Sequence, residues 1–386
     1  MTTSSEIIRS KIRPAIPEFL KCRSTAELHQ HPLYQELAPD LQQVLETPQT
    51  GDFRQTEAAP REWYRVVAWN IERGTQLNGQ LEALRNHPGL KDADVLLLIE
   101  TDVGMARSGN VDVARAMARE LGMCYAFSPC YLSLVKGSGV ERHVDGDNDL
   151  GLHGNAILSR YPLRNVRPIH LDNGTDKVAS NEKRLGRQTS LAAVVEFPGQ
   201  PVSVAAVHLD AQSSQRHRLE QMREVLAALP SQGPVILGGD WNTSTYNSSR
   251  AFHAICGFWL RVLMGVDNVI RNHYLHPERF FERDLFRLLR DRGFEYERSN
   301  VLGAHTVYYD MRDARAAGSL GEWVPGWCFP FIHWSLRNHG GRCPLKLDWF
   351  ATRGVEARNP SIVHEKRDGS HVPLSDHDAV TVEVRL

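Results

Sequence analysis

Residues 235–243 read VILGGDWNT, an apolar run that ends in two glycines and then sets Asp240 and Asn242 two positions apart. The run has the length of a strand, and its continuous apolar character suits a strand that is buried on both sides. Side chains two positions apart in extended backbone point to the same face. The stretch therefore predicts a buried strand whose end presents a carboxylate and an amide together.

Apolar runs of strand length recur on both sides of this stretch, several of them flanked by Gly, Pro, Asn or Asp. They are VVAWNI, DVLLLIE, NAILSR, TSLAAVVEF, VSVAAVHL, LKLDWFAT and AVTVEVRL. Residues 111–121 and 216–229, which lie between such runs, have apolar side chains at helical spacing. Strands interleaved with a few helices predict a sheet-centred α/β or α+β layer fold.

The chain of 386 residues is long enough for one large domain with additions. We predict a helical N-terminal extension at residues 1–62, packed on the core or linked to it, and a main domain at residues 63–386. Residues 244–346 read as a long insertion between two core strands. The insertion is predicted either to wall a substrate site or to extend the core, and it contains Trp259, Trp323, Trp327 and Trp334.

Composition restricts the possible functions only loosely. The formal net charge is -1, which argues mildly against tight nonspecific binding to nucleic acid but leaves room for a local basic groove. The six cysteines include no CxxC pair, so a zinc ribbon or a thioredoxin-type site is not indicated. No apolar run suits a signal peptide or a transmembrane helix, so we expect a soluble cytoplasmic protein.

Polar side chains at the ends of several predicted strands are the strongest functional signal. A single carboxylate at such a position is usually a solvated loop residue, but several strands that end this way predict a shared site. Oxygen ligands without cysteine suit Mg²⁺ or Mn²⁺, and nearby His and Asn suit phosphoryl chemistry. The residues are Asn70, Glu72, Glu100, His208, Asp240, Asn242, Asp348, Asp376 and His377.

The order of motifs resembles the endonuclease/exonuclease/phosphatase superfamily, which includes pancreatic-type deoxyribonucleases, abasic-site endonucleases, inositol polyphosphate 5-phosphatases and neutral sphingomyelinases. The motifs are WNIERG, LLLIETD, GNAILSRYPL, VHLDA, ILGGDWN, LDWF and SDHDAV. The resemblance extends from about residue 65 to residue 386 and is poor in the insertion. It implies an α/β fold, a four-layer α/β/β/α sandwich of two stacked mixed β-sheets flanked by helices, with the site at one end.

The resemblance also implies which residues hold the metal and the phosphate. Glu100 matches the metal-binding glutamate of the family, and Asn70 matches an asparagine beside the metal and the phosphate. Asp376 is expected near the metal. Glu72 is either a further metal ligand or a surface acid paired with its neighbour. Arg187 is either a phosphate contact or a solvent-exposed arginine.

The implied catalytic residues form a second group. His377 matches the histidine at the scissile phosphate, and Asp348 matches the aspartate that orients it. Asp240 and Asn242 match the pair that positions the attacking water and the phosphate. His208 matches a second histidine that occurs in the deoxyribonuclease and sphingomyelinase branches.

These roles imply a Mg²⁺-dependent phosphoesterase, with Mn²⁺ as a possible substitute, that hydrolyses a phosphodiester by in-line attack of a metal-activated water. The expected substrate is a phosphate ester, possibly nucleic acid. A phosphomonoesterase or a lipid-headgroup phosphodiesterase is the alternative, in which the tryptophan-rich insertion contacts a membrane surface. A non-catalytic binding protein of the same fold is disfavoured because every expected functional group is present.

Overall fold

The predicted apolar runs form the strands of two large sheets. The computed structural model describes residues 3–243, 247, 251–310, 326–365 and 372–386. Within these residues the strands, in chain order, are β1 (Gln49–Asp52), β2 (Tyr64–Arg73), β3 (Val95–Val103), β4 (Cys124–Ser133), β5 (Leu152–Ser159), β6 (Leu163–His170), β7 (Arg184–Gly186), β8 (Thr189–Phe197), β9 (Gln200–Ala206), β10 (Val235–Asp240), β11 (Val307–Asp310), β12 (Arg342–Leu345), β13 (Asp348–Arg353), β14 (Glu356–Val363) and β15 (Ala379–Arg385).

Both large sheets are mixed. The first has the order β1-β4-β5-β3-β2-β15-β14, with β7 also paired to β4. The second has the order β13-β10-β9-β8-β6, and β11 pairs with β12 in a small third sheet. Strands β2 and β3 are parallel, as are β9 and β10, whereas the other pairs are antiparallel.

Helices cover the outer face of each sheet. Helices Gln215–Ala228 and Arg283–Asp291 pack on the second sheet, and the helices that precede β4 contribute to the layer on the first. The described helices are Ser4–Ile7, Arg13–Phe19, Thr25–Gln30, Pro32–Glu46, Leu77–Asn86, Val113–Leu121, Gln215–Ala228, Ala251–Leu263, Val266–Asn268, Arg283–Asp291 and Phe329–Ser335, with π-helical turns at Ile8–Ile12 and Val269–Tyr274.

Side chains alternate between the two faces of each strand, and the apolar ones form three layers. Val66 and Leu97 point between the sheets and pack with side chains of the second sheet such as Val204. Their neighbours Val67 and Leu96 point outward to the first helical layer. The predicted α/β/β/α sandwich is therefore confirmed.

The N-terminal extension is packed on the main domain. Phe19 is fully buried and shares one apolar cluster with Val67 and Trp69 of β2. Ser24 caps the helix Thr25–Gln30, because its hydroxyl accepts a hydrogen bond from the backbone N of Glu27 at 3.1 Å. Residues 49–52 add β1 to the edge of the first sheet.

The insertion is divided between core and surface. Leu285, Phe286 and Leu289 are buried in the cluster of the second sheet, and Phe286 packs edge-on against Trp349 with 4.6 Å between ring centroids. The helices Ala251–Leu263 and Phe329–Ser335 instead carry exposed apolar side chains, and Trp323 lies outside the described residues. One part of the insertion therefore extends the core of the second sheet, and the wall of a substrate site stays a prediction for the other part.

None of the described helices is by itself long and apolar enough to span a membrane. Two consecutive helical segments, Phe252–Leu263 and Val266–Tyr274, reach the required length and composition only when taken together, and they are bent by 104°.

We predict that Phe19→Ala destabilises the whole domain by about 3–5 kcal/mol, because the ring fills a core that the extension and the sheet share. Urea unfolding should show one transition that coincides in tryptophan fluorescence and far-UV circular dichroism. Glu36→Ala, at an exposed position of the helix Pro32–Glu46, is the control with little effect. A separate early transition of the extension would contradict the shared core.

Candidate active site

Irregular pairing at the ends of β2 and β3 directs polar side chains toward one end of the sandwich. The register of β2 against β3 shifts between Asn70 and Arg73, and that of β3 against β5 shifts between Leu98 and Thr101. Glu72 and Glu100 adopt left-handed backbone conformations there, with φ of 46° and 57°. Such conformations cost about 1–3 kcal/mol at non-glycine residues and cluster at functional sites, where bulges re-aim side chains.

Asn70 joins two of the carboxylates. Its amide nitrogen donates to Glu100 Oε1 at 3.2 Å and to Asp240 Oδ2 at 3.2 Å. The amide oxygen accepts from the backbone N of Glu72 at 3.1 Å, which fixes the orientation of the amide. The ends of β2, β3 and β10 are thus tied together across the two sheets.

Two imidazoles face the same oxygen of Asp240. His377 Nε2 lies 3.6 Å and His208 Nε2 lies 3.7 Å from Asp240 Oδ2. The other ring nitrogen of His377, Nδ1, is 2.9 Å from Asp348 Oδ2. This contact orients the ring of His377, so that Nε2 is directed toward Asp240.

Asn242 and Asp348 are held by backbone contacts near the end of β10. The backbone N of Asn242 donates to Asp240 Oδ1 at 3.0 Å, and the side chain of Asn242 donates to the Leu209 carbonyl at 2.9 Å. Asp348 lies opposite Asp240 in the β10–β13 register, and its backbone N donates to Thr306 Oγ1 at 3.1 Å.

The loop before β15 carries Asp376 and His377 and is fixed at both flanks. Ser375 Oγ donates to the Asn70 carbonyl at 2.6 Å and accepts from the His377 backbone N at 3.0 Å. The indole nitrogen of Trp69 donates to the His377 carbonyl at 3.0 Å. The histidine is therefore positioned by buried contacts rather than by a free loop.

These groups open onto a cavity of about 870 Å³. Glu72, Glu100, Asp376 and most of the groups described above are among its lining residues. The insertion contributes apolar side chains to the lining, namely Ile255, Phe258, Val262, Ile332 and Leu336. One cavity thus joins a cluster of carboxylates and imidazoles to an apolar wall.

Electrostatics keeps Glu100 ionised. Burial favours its neutral form, but Arg73, whose Nε is 3.9 Å from Glu100 Oε2, and the neighbouring histidines outweigh burial and lower the pKa of Glu100 below its usual value. Burial acts on Arg73 in the same way, yet Glu141 and Glu100 hold its pKa above the ordinary range.

The pKa values of Asp240, His208 and His377 are shifted in different directions. Burial raises the pKa of Asp240 to about 7, although His377 opposes the shift. Burial lowers the pKa of His208 to about 4. For His377, burial is outweighed by Asp348, Asp240 and Asp376, which raise the pKa well above its usual value. A carboxyl group that titrates near neutral pH beside an imidazolium is typical of acid–base sites.

The oxygen donors among the lining residues fit a hard divalent cation. Glu100 offers an ionised carboxylate, and Glu72 and Asp376 line the same cavity. Glu100 Oε1 and Asp240 Oδ2 each lie 3.2 Å from the amide nitrogen of Asn70, so two carboxylates approach each other closely at a point where a cation would relieve their mutual repulsion. Mg²⁺ prefers such oxygen ligands.

The structure does not bring Arg187 to this cavity. It is exposed directly after β7 and is not among the lining residues. Its backbone N donates to the Cys130 carbonyl at 3.0 Å. Arg187 thus lies where the alternative of a solvent-exposed arginine places it. A phosphate contact of Arg187 stays a prediction that the geometry does not favour.

Sequence reasoning missed Arg73 and Tyr309 as residues of the site. Arg73 was considered only as a surface partner of Glu72, but it contacts Glu100 and Glu141. Tyr309, in β11, lines the cavity, and burial together with the nearby carboxylates raises its pKa. Residue spacing in the sequence does not reveal the bulge that directs Arg73 into the site. It does not reveal the path of the insertion that brings Tyr309 there either.

Three comparisons with known proteins bear on this site. The sequence model of the endonuclease/exonuclease/phosphatase family matches residues 67–377. The uncharacterized protein YbhP of Escherichia coli K12 is 30% identical over 141 residues, which are 36% of this chain and 49% of that protein. The chain thus spans about half the length of the curated relatives it matches.

Two solved structures are similar to this chain to different degrees. An endonuclease/exonuclease/phosphatase from Beutenbergia cavernae is 17% identical, with a TM-score of 0.51 over 84% of this chain and 72% of that chain. A 3'-5' exonuclease from Neisseria meningitidis, also 17% identical, gives a TM-score of 0.45 over 83% of this chain and 100% of that chain. At these identities the first likeness shows the fold alone.

We predict that Asp240→Asn becomes progressively more stable than the wild type as the pH rises from about 4 to about 7. In that range the folded wild type keeps a proton on Asp240 that the unfolded chain releases, so its stability falls with pH by up to about 1.4 kcal/mol per unit. His208, with its pKa lowered to about 4, makes the folded state more stable as the pH rises, and it does so in both proteins. The difference in stability between the two proteins therefore isolates the contribution of Asp240.

The measurement is urea unfolding in EDTA at several pH values. Asp92→Asn, at an exposed carboxylate, is the matched control and should run parallel to the wild type. A pH-independent difference between Asp240→Asn and the wild type would show that Asp240 is not protonated in the folded protein.

Proposed function

The chain belongs to the endonuclease/exonuclease/phosphatase family, and from this premise we propose that it is a Mg²⁺-dependent phosphoesterase that hydrolyses a phosphodiester by in-line attack of water. Members of the family are hydrolases that act on phosphoester bonds. The observation that carries the proposal is the convergence of His377, His208 and Asn70 on Asp240 Oδ2. Fold alone would not support an activity, because one fold hosts many functions.

Asp240 is the proposed acceptor of a proton from the attacking water. Its pKa of about 7 lets it take up a proton near neutral pH. Asn70, which donates to the same oxygen, and Asn242, whose backbone N donates to the other, hold the carboxylate in place. The nucleophile would therefore be oriented before the substrate binds.

His377 and His208 are proposed to bind the non-bridging phosphate oxygens. The raised pKa of His377 keeps an imidazolium in the site, which stabilises the charge that develops in the transition state. Asp348 orients that ring from Nδ1. His208, with its pKa lowered to about 4, is neutral at pH 7 and donates a hydrogen bond rather than a charge.

Glu100 and Asn70, with Asp376 and Glu72 as further candidates, would hold the Mg²⁺ ion, with Mn²⁺ as a substitute. The ion would neutralise phosphate charge and stabilise the leaving oxygen. The lowered pKa of Glu100 means that this carboxylate is already deprotonated for binding.

We predict that His377→Ala and Asp240→Asn each lower kcat on bis-p-nitrophenyl phosphate by about 10²–10⁴-fold with the fold retained, because each removes a group that acts in the transition state. EDTA should abolish the wild-type activity, and Mg²⁺ or Mn²⁺ should restore it. The matched controls are His29→Ala and Asp92→Asn, both at exposed positions. Near-normal turnover in both site variants would remove the assignment.

A lipid-headgroup phosphodiesterase is the second candidate function, favoured by the apolar wall of the cavity. Ile255, Phe258 and Val262 lie at helical spacing on one face of the helix Ala251–Leu263 and line the cavity. The same helix exposes Phe252 (71% exposed) and Leu263 (83% exposed) on another face. A helix with apolar side chains on two faces suits a lipid environment on one side and an acyl chain on the other.

Ile255→Glu tests this candidate. For a soluble short-chain phosphatidylcholine, the variant should lower kcat/KM at least about tenfold, since a charge replaces apolar contact area. Its activity on bis-p-nitrophenyl phosphate should not change. Leu260→Glu, on the exposed face of the same helix, is the matched control. Equal losses on both substrates, or no hydrolysis of the lipid by the wild type, would exclude the lipid function, and plasmid DNA and RNA should then be tested.

A further inference from the structure

A second group of metal-ligating side chains lies next to the loop that carries His377. The group consists of His305, His364 and Asp378, and each offers a ligand atom within 4.8 Å of the other two. His305 belongs to the insertion, His364 follows β14, and Asp378 precedes β15. Three stretches that are far apart in the chain therefore meet at this point.

The backbone brings these three segments together independently of their side chains. The Asp378 backbone N donates to the Thr306 carbonyl at 2.7 Å, and Val307 forms an isolated β-bridge with His377. Residues 305–307 thus run antiparallel to residues 377–378. Pairing of β14 with β15 brings His364 beside the same loop, since Val363 lies opposite Ala379.

The side-chain geometry is that of a site with two imidazoles and one carboxylate. His364 Nδ1 is 2.7 Å from Asp378 Oδ2, and the rings of His305 and His364 have centroids 4.7 Å apart. Asp378 is buried, and its other oxygen accepts from the Glu365 backbone N at 3.3 Å, which fixes its orientation. Zinc sites of this kind place ligand atoms about 3.4 Å apart around bonds of about 2.0–2.1 Å, so closure requires shifts of about an ångström.

We propose that His305, His364 and Asp378 bind a divalent cation of the zinc class, at a site separate from the Mg²⁺ site proposed for catalysis. Two nitrogen donors select Zn²⁺, Co²⁺ or Ni²⁺ over Mg²⁺. The side chain of His364 is 47% exposed, so water completes the coordination from the solvent side. The alternative is a hydrogen-bonded His–Asp pair against which the His305 ring packs at a tilt of 31°, and Co²⁺ binding separates the two.

An ion at this site would link the insertion to the terminal loop. Asp378 follows His377 directly, and Thr306 follows His305 and also accepts from the backbone N of Asp348. The ion would therefore tie together the two segments that position the His377–Asp348 pair. Binding to the folded state alone would also raise the stability of the domain.

The experiment measures Co²⁺ bound to the full chain in excess Mg²⁺, by visible absorption and by metal analysis after dialysis. Excess Mg²⁺ occupies a site of oxygen ligands but competes poorly for imidazole nitrogen. We expect the wild type to hold Co²⁺ with the absorption bands of nitrogen ligation, and His364→Ala and His305→Ala each to bind one equivalent less. His333→Ala, at an exposed histidine of the same insertion, should bind as the wild type does.

Zn²⁺ should also raise the melting temperature of the wild type and of His333→Ala, but not that of His364→Ala. Because His364 is half-exposed, its replacement should leave the protein folded, which circular dichroism would verify. Unchanged Co²⁺ stoichiometry in both ligand variants would overturn the proposal, as would a wild type that binds no Co²⁺. Neither result would contradict the phosphoesterase proposal, which is tested separately by hydrolysis in Mg²⁺ alone.

Discussion

The buried carboxylate of Asp240 is the constraint on which the rest of the site depends. An ionised carboxylate is costly to bury unless donors replace the water that it loses. The backbone N of Asn242 and the amide of Asn70 donate to it, and two imidazole nitrogens lie 3.6 Å and 3.7 Å away. Because Asn70 belongs to one sheet and Asp240 to the other, the sheets must keep one relative position to satisfy that carboxylate.

The glycine pair before Asp240 makes this close approach possible. A Cβ on Gly239 would lie 2.2 Å from the Val207 carbonyl oxygen, and the residue has φ of 142°, which other residues rarely adopt. A Cβ on Gly238 would lie 2.8 Å from Leu97 Cδ1 in the other sheet. The motif GGD therefore couples two requirements: the glycines let the sheets meet, and the carboxylate occupies the place where they meet.

The pattern of apolar residues along the sequence predicted the fold well, because the fold is determined by which residues are buried. Continuous apolar runs became strands, and the resemblance seen in the motif order agrees with the family match over residues 67–377. The convergence of Asn70, Glu100 and Asp240 followed from their positions at strand ends, although their chemical roles stay predictions. Arg73 was missed because it enters the site through a bulge, and bulges depend on pairing with a neighbouring strand rather than on local sequence.

The insertion is the part for which sequence reasoning was least informative, and the structure gives it two connections to the chemistry. Its apolar side chains line the same cavity as the carboxylates. Its return segment, through Thr306, accepts hydrogen bonds from the backbone of Leu347 and Asp348 and, through its carbonyl, from Asp378. Changes in the insertion would therefore act on the lining of the cavity and on the orientation of His377 at once. In the proposed phosphoesterase this arrangement would couple specificity to catalytic geometry, because the segment that shapes the pocket also supports the aspartate that orients the histidine.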